Sequence, residues 1–291
     1  MKVLVTGSSG QLGKAFRRLA GSSANEYIFT DICPCEGVSV LDITDPLAVQ
    51  DAIACGGVEV IINCAGYTDV NRAEEEQENA FLVNSGAVGI LAEKALENNL
   101  LLIHVSTDYV FDGQANVPYV EDAPTFPLNT YGKTKLAGEK AIIESGCRHM
   151  IFRTSWLYDS SSRNFFTTIA EKTASQPEVA VVADQVGTPT YAPDLAQFID
   201  HILECGHADR TGLYHYSGEG LCSWYDFAAA ICRALGHLSS VVPCRSGDFP
   251  SKAVRPHYSV LDKSKVKKTF GVEIPHWADS LEICVAEYMG L

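Results

Sequence analysis

Tyr131 and Lys135 stand four residues apart in the run Tyr131-Gly132-Lys133-Thr134-Lys135. On a helix that spacing puts both side chains on one face. An ammonium held near a phenol favours the phenolate and pulls down a pKa that is ordinarily about 10. A tyrosine so placed can give or take a proton near neutral pH, as general acid–base catalysis requires. The same pair also occurs on many solvated helix faces, so the rest of the chain has to decide between the two readings.

A second group of polar residues sits upstream, where the apolar run Leu100–Val105 ends in Ser106-Thr107-Asp108-Tyr109. Two hydroxyls at the carboxyl end of a buried strand can hydrogen-bond a reacting carbonyl or alcohol, because ligands of open α/β sheets lie there. Local capping of a turn would use the same residues. His104 interrupts that run and reads as a satisfied core histidine with no role. Further downstream, His149–Trp156 predicts another strand, ending in a tryptophan that can pack against a sugar or base.

The elements that would position these groups follow a regular alternation. Lys2–Thr6 reads as a strand and runs into Gly7-Ser8-Ser9-Gly10-Gln11-Leu12-Gly13 before a helical stretch. A strand, a glycine turn and a helix start place a pyrophosphate on backbone N–H groups. A second strand ends at Asp31, where a carboxylate can bind the adenine ribose hydroxyls and repel a 2′-phosphate. Val38–Ile43, with Asp42 and Ile43 at its end, can flank the adenine. The continuous apolar run over 58–63 fits a parallel strand covered on both faces. It leads into Cys64-Ala65-Gly66-Tyr67-Thr68, small enough to pass close to a cofactor. Glu78–Asn98 reads as one long helix, and the helix carrying Tyr131 and Lys135 runs to about Ser145. Ala180–Ala183 reads as a strand; helices are expected over Phe165–Thr173, Asp194–Cys205, Trp224–Leu235 and Trp277–Met289. Together these predict a Rossmann-like, doubly wound parallel α/β sheet over residues 1–155. Residues 156–291 form a smaller substrate-binding α/β region, some of whose segments return to the main sheet.

Composition bounds the function. The chain has 291 residues, a net charge of −14 and 46% hydrophobic residues. That acidity argues against nucleic acid and anionic membranes as partners, and no apolar run reaches the ~18–20 residues of a membrane span. The strand at Met1 leaves no room for a signal peptide, so a cytoplasmic protein is expected. The ten cysteines are scattered and read as buried, reduced thiols; no metal site is expected.

Taken together, the motifs resemble an extended short-chain dehydrogenase/reductase, and within it the dTDP-4-dehydrorhamnose reductase family. The resemblance rests on Gly10–Gly13, Thr68–Glu74, Ser106–Gly113, Tyr131–Glu139, Arg153–Trp156, Asp184–Thr190 and Arg255–Asp262, which span most of the chain in family order. It implies NADH- or NADPH-dependent reduction of the 4-keto group of dTDP-4-dehydro-L-rhamnose. Tyr131, Lys135 and Thr107 are then catalytic. Gly7, Gly10, Gln11, Leu12, Gly13, Asp31, Asp42, Ile43, Gly66, Tyr67, Thr68, Val105, Tyr131 and Lys135 bind the cofactor. Thr107, Asp108, Trp156 and Arg255 bind the nucleotide sugar, with Arg255 on its diphosphate. Some members of the family dimerise through magnesium held by glutamates. Here Lys14-Ala15-Phe16 and Ala192-Pro193-Asp194 stand where those would lie, so a monomer or a homodimer without metal is expected. Two other readings remain open at this point. A non-catalytic dinucleotide-binding subunit, like the β subunit of methionine adenosyltransferase, would keep the fold. So would a nucleotide-sugar epimerase or 4,6-dehydratase, although Tyr109 stands where a dehydratase has a glutamate.

Overall fold

The apolar runs become the interior of one sheet. The computed structural model describes residues 1–249 and 251–291. Lys2–Thr6 (β1) turns through the glycines into Gln11–Leu19 (α1), followed by Glu26–Asp31 (β2), Ser39–Val40 (β3), Pro46–Gly56 (α2) and Val60–Asn63 (β4). Val70–Ala73 (α3), Gln77–Phe81 (α4) and Ala87–Glu97 (α5) lead to Leu101–Thr107 (β5), Thr130–Ser145 (α6) and Arg148–Thr154 (β6). The second half holds Leu157–Tyr158 (β7), Phe165–Ser175 (α7), Glu178–Val182 (β8), Val186–Gly187 (β9), Thr190–Tyr191 (β10), Ala192–Glu204 (α8) and Gly212–His215 (β11). Cys222–Ser223 (β12), Trp224–Ala234 (α9), Ser240–Cys244 (β13), Ser264–Phe270 (α10) and Trp277–Met289 (α11) complete it.

The main sheet runs β11-β6-β5-β4-β1-β2-β3, and every neighbouring pair is parallel. Chain order reverses between β1 and β4, the crevice where such sheets bind ligands. Alternate side chains feed two cores. Val3, Val5, Ile62, Ile103 and Phe152 face Phe16 of α1 and Leu195 and Ile199 of α8. Leu4, Ile61, Leu102 and Ile151 face Leu91 of α5 and Ile142 of α6. Each such fully buried aliphatic side chain contributes roughly 1.5–3 kcal/mol. A third core, built from Tyr158, Phe166, Phe227, Ile231, Leu281 and Cys284, lies wholly within the second half.

Helix ends follow their capping residues. Asn129 accepts the Gly132 N–H at 2.8 Å to start α6, and Gly146, at φ 74°, ends it; both are ordinary stop and start signals. The single helix expected over Glu78–Asn98 is instead two helices joined by a π-helical turn over Leu82–Gly86. Close packing accompanies the change: a Cβ on Gly138 of α6 would lie 2.2 Å from the Asn84 carbonyl oxygen. The return to the main sheet is made by β11. Of the cysteines, all ten are free as expected, but Cys33, Cys35, Cys55 and Cys205 are exposed rather than buried, because they lie on loops and helix ends.

Candidate active site

The glycine turn is shaped by contacts that no side chain could share. Gly7 has φ 66°, and a Cβ there would lie 2.5 Å from the Ala65 nitrogen. A Cβ on Gly13 would lie 2.4 Å from the Gly7 oxygen and from Ser8 Cα. Gly10 precedes α1 with no side-chain cap, which leaves the first amides of the helix for a ligand. The buried Gln11 Oε1 beside them has no partner, while Leu12 packs into the core. Asp31 closes this end: its carboxylate accepts from Ser9 N at 2.9 Å and Cys33 N at 3.1 Å. Asp42 is exposed and caps its own turn through Thr44, and Ile43 points into the core. A cradle of this shape, with open amides and an orphaned amide oxygen, fits a dinucleotide.

Across the crevice, the Gly66–Thr68 loop is held by a residue that the sequence did not single out. Asn84, in the π-helical turn, accepts from Tyr67 N at 2.8 Å and donates to Tyr67 O at 2.9 Å and Thr134 Oγ1 at 3.0 Å. It thereby ties the loop to α6, and a Cβ on Gly66 would lie 3.2 Å from its oxygen. Tyr67 is half-buried and donates its phenol to Glu76 at 2.9 Å, and Thr68 is exposed. Glu74 accepts the Thr130 N–H at 2.7 Å and its hydroxyl at 3.0 Å, so it fixes the N-terminus of α6. A polar residue inside an apolar helical run (Asn84) and an acid before a distant helix start (Glu74) were the available signals.

Thr107 and Tyr131 come together, and Lys135 lies one turn further along α6. The Thr107 hydroxyl donates to Asp108 Oδ1 at 3.1 Å and faces the Tyr131 phenol, whose pKa it lowers. Burial outweighs it and pushes the phenol up to about 12, with the Asp108 charge adding to the rise. The expected depression of Tyr131 by Lys135 is therefore absent. The lysine points instead to Val105 O at 2.7 Å and to His104 Nε2 at 3.3 Å. Burial brings Lys135 down to about 8, against the pull of Glu139 and Cys64. Asp108 is buried with Oδ2 unpartnered, and burial raises its carboxyl to about 7. Tyr109 packs edge-on to Tyr131 at 5.9 Å, and the half-buried Arg255 reaches the Tyr109 phenol.

Trp156 follows the end of β6. Its backbone has φ 48°, uncommon for a bulky residue, and its indole stacks on Trp224 with centroids 3.5 Å apart. Gly187 leaves room for the same ring, since a Cβ there would lie 2.6 Å from it. One face of the indole is thus taken by protein. Beneath the site, Arg153 makes a two-point ion pair with Glu139 at 2.7 and 2.9 Å, and Ser106 donates to the same carboxylate. This buried pair ties β5, β6 and α6 together.

The fold, with a glycine cradle at the switch point and a Thr–Tyr–Lys set facing it, is that of the short-chain dehydrogenase/reductase class. The family model described as "RmlD substrate binding domain" matches residues 1–289. The dTDP-4-dehydrorhamnose reductase of Aggregatibacter actinomycetemcomitans is 37% identical over 97% of both chains. Among solved structures, a dTDP-4-dehydrorhamnose reductase from Clostridium acetobutylicum has a TM-score of 0.92 and 36% identity over 100% of both chains. That of Bacillus anthracis, solved in complex with NADP, has a TM-score of 0.90 and 33% identity, covering 98% of this chain and 99% of its own. The chain belongs to the dTDP-4-dehydrorhamnose reductase family.

Proposed function

We propose that the protein is an NAD(P)H-dependent oxidoreductase that reduces the 4-keto group of dTDP-4-dehydro-L-rhamnose to give dTDP-L-rhamnose. The observation that carries this reading is the Tyr131 phenol facing the Thr107 hydroxyl, with Lys135 one turn further along α6 and its ammonium beside Gly66. NADPH or NADH, held by Gly7–Gly13, Asp31, Gly66–Thr68 and Lys135, supplies the hydride. Thr107 hydrogen-bonds the keto oxygen, and Tyr131 donates the proton as that oxygen becomes an alkoxide. A phenol held near 12 keeps its proton at every working pH, and it still gives that proton up, because an alkoxide is far more basic than a phenolate. Asp108 offers its unpartnered Oδ2 to a sugar hydroxyl. Trp156 borders the sugar with the edge that Trp224 leaves open, and Arg255 takes a diphosphate oxygen. Residues 1–155 then serve chiefly the dinucleotide and 156–291 the nucleotide sugar. Every group invoked lies on one chain, so a monomer suffices for the chemistry.

The test is loss of the reduced cofactor's absorbance with the 4-keto sugar generated in situ from dTDP-glucose. Stoichiometric consumption of NADPH or NADH is expected. Product formation without net cofactor consumption would point to an epimerase and overturn the proposal; binding of cofactor without turnover would favour a regulatory subunit.

A further inference from the structure

Lys135 has a neighbour that the chemistry above leaves unused. His104 is 0% exposed in β5, with Nδ1 3.0 Å from Asn63 Nδ2 and Nε2 3.3 Å from Lys135 Nζ. The Asn63 amide can face only one way, because its Oδ1 accepts the Ala65 N–H at 3.1 Å and the Thr6 hydroxyl at 2.7 Å. A backbone N–H only donates, so the NH2 end of Asn63 is left for the imidazole, and Nδ1 must accept. Burial keeps the ring neutral, with the Lys135 charge acting in the same direction. Its one N–H therefore sits on Nε2 and points at the lysine nitrogen.

An ammonium and an imidazole N–H are both donors and offer each other nothing, whereas a neutral amine has a lone pair that accepts. We propose that His104 is a positioning residue for the proton path: it presents Nε2–H to Lys135, so that the lysine can release a proton and stay hydrogen-bonded as the neutral amine. The step rests on the reductase reading, and it balances. Tyr131 gives its proton to the alkoxide, a proton drawn from the Lys135 ammonium makes good that loss, and water reprotonates the amine. His104 keeps its own proton throughout. Around Lys135, Glu139 on α6 and Cys64 after β4 favour the ammonium and burial opposes it; His104 lies 3.3 Å away, and Tyr131 one turn back on α6.

Two measurements test this. In the native protein labelled with ¹⁵N-histidine, the signal lost in His104→Gln should report a neutral ring with the proton on Nε2 from roughly pH 6 to 9. A proton on Nδ1, or an imidazolium, overturns the proposal. In Asn63→Asp the carboxylate instead accepts from Nδ1–H, and Nε2 becomes an acceptor that holds the ammonium. The alkaline limb of the kcat profile should then move up by about one pH unit, and by clearly less when His104→Phe is added, where only the new carboxylate's charge acts. An unmoved limb, or a shift of the same size without the imidazole, sinks the idea. Should the native enzyme fail to reduce the keto sugar at all, the reductase reading falls, while the ¹⁵N result still judges the tautomer.

Discussion

Tyr131 and Lys135 lie one turn apart on α6, yet their surroundings are built from different parts of the chain and set different proton affinities. The wall around Tyr131 comes from the end of β5 and from the 251–258 segment: Thr107, Asp108, Tyr109 and, beyond them, Arg255. The floor around Lys135 comes from β4, β5 and α6: Asn63, His104, the Val105 carbonyl and Glu139. Burial favours the neutral form in both places, and so moves the phenol up to about 12 and the lysine down to about 8. The wall retains a proton, and the floor is poised to lose one. Four-residue spacing secures proximity; the neighbours decide who is charged.

The sharpest break comes at the wall. Tyr131→Phe should lower kcat on the order of 10²–10⁴-fold while NADPH binding, followed by fluorescence, stays unchanged; native turnover would remove Tyr131 from the mechanism. At the floor, Glu139→Gln leaves the buried Arg153 without its carboxylate and should cost about 3–5 kcal/mol in denaturant unfolding. It also removes a group that favours the Lys135 ammonium, which is present below about pH 8. The alkaline limb of kcat should therefore move to lower pH, and a limb moving upward would contradict the assigned roles.

A gentler change at the wall is Asp108→Asn. Burial raises this carboxyl from its usual range to about 7. Between about pH 4 and 7 the folded protein holds a proton that the unfolded chain has released, so stability falls as pH rises across that window. The asparagine variant escapes that fall and should be more stable than the native protein at pH 8, by on the order of 1–3 kcal/mol, with little difference at pH 4. Calorimetry showing the same change in Tm at both pH values would locate the effect in packing instead. Smallest of all is Thr107→Ser, which keeps the hydroxyl facing Tyr131. It should retain kcat within roughly tenfold, whereas loss approaching 10²-fold, the scale of a removed oxyanion donor, would show that the threonine methyl matters too.

How legible all this was in the sequence depended on the range of the interactions. The β1–glycine–α1 unit, the buried β4 and β5, and α6 running to about Ser145 are local patterns, and their sequence signals suffice. The Thr107–Tyr131–Lys135 grouping followed from the fold class those patterns imply. What remained hidden came from residues far apart in the chain. His104 is the buried, hydrogen-bonded core histidine that its strand suggested, but nothing local shows its contacts with Asn63 and Lys135. Asn84 lay inside what read as a single helix, and its bonds to Tyr67 and Thr134 form only once α6 packs there. The stacking of Trp156 on Trp224 joins residues 68 apart in sequence and has no local signal.

The strand β11 has a consequence for protein engineering. It contributes residues 212–215 to the edge of the main sheet, bonded in parallel to β6, while α8 from the same half covers one face beside α1. A fragment ending near residue 155 would therefore carry β6 as a bare edge and an uncovered apolar face, both prone to self-association. Exchanging second halves between relatives of this kind requires moving α8 and β11 with the amino-terminal part, so the useful cut is a choice of segments and not a single point in the chain.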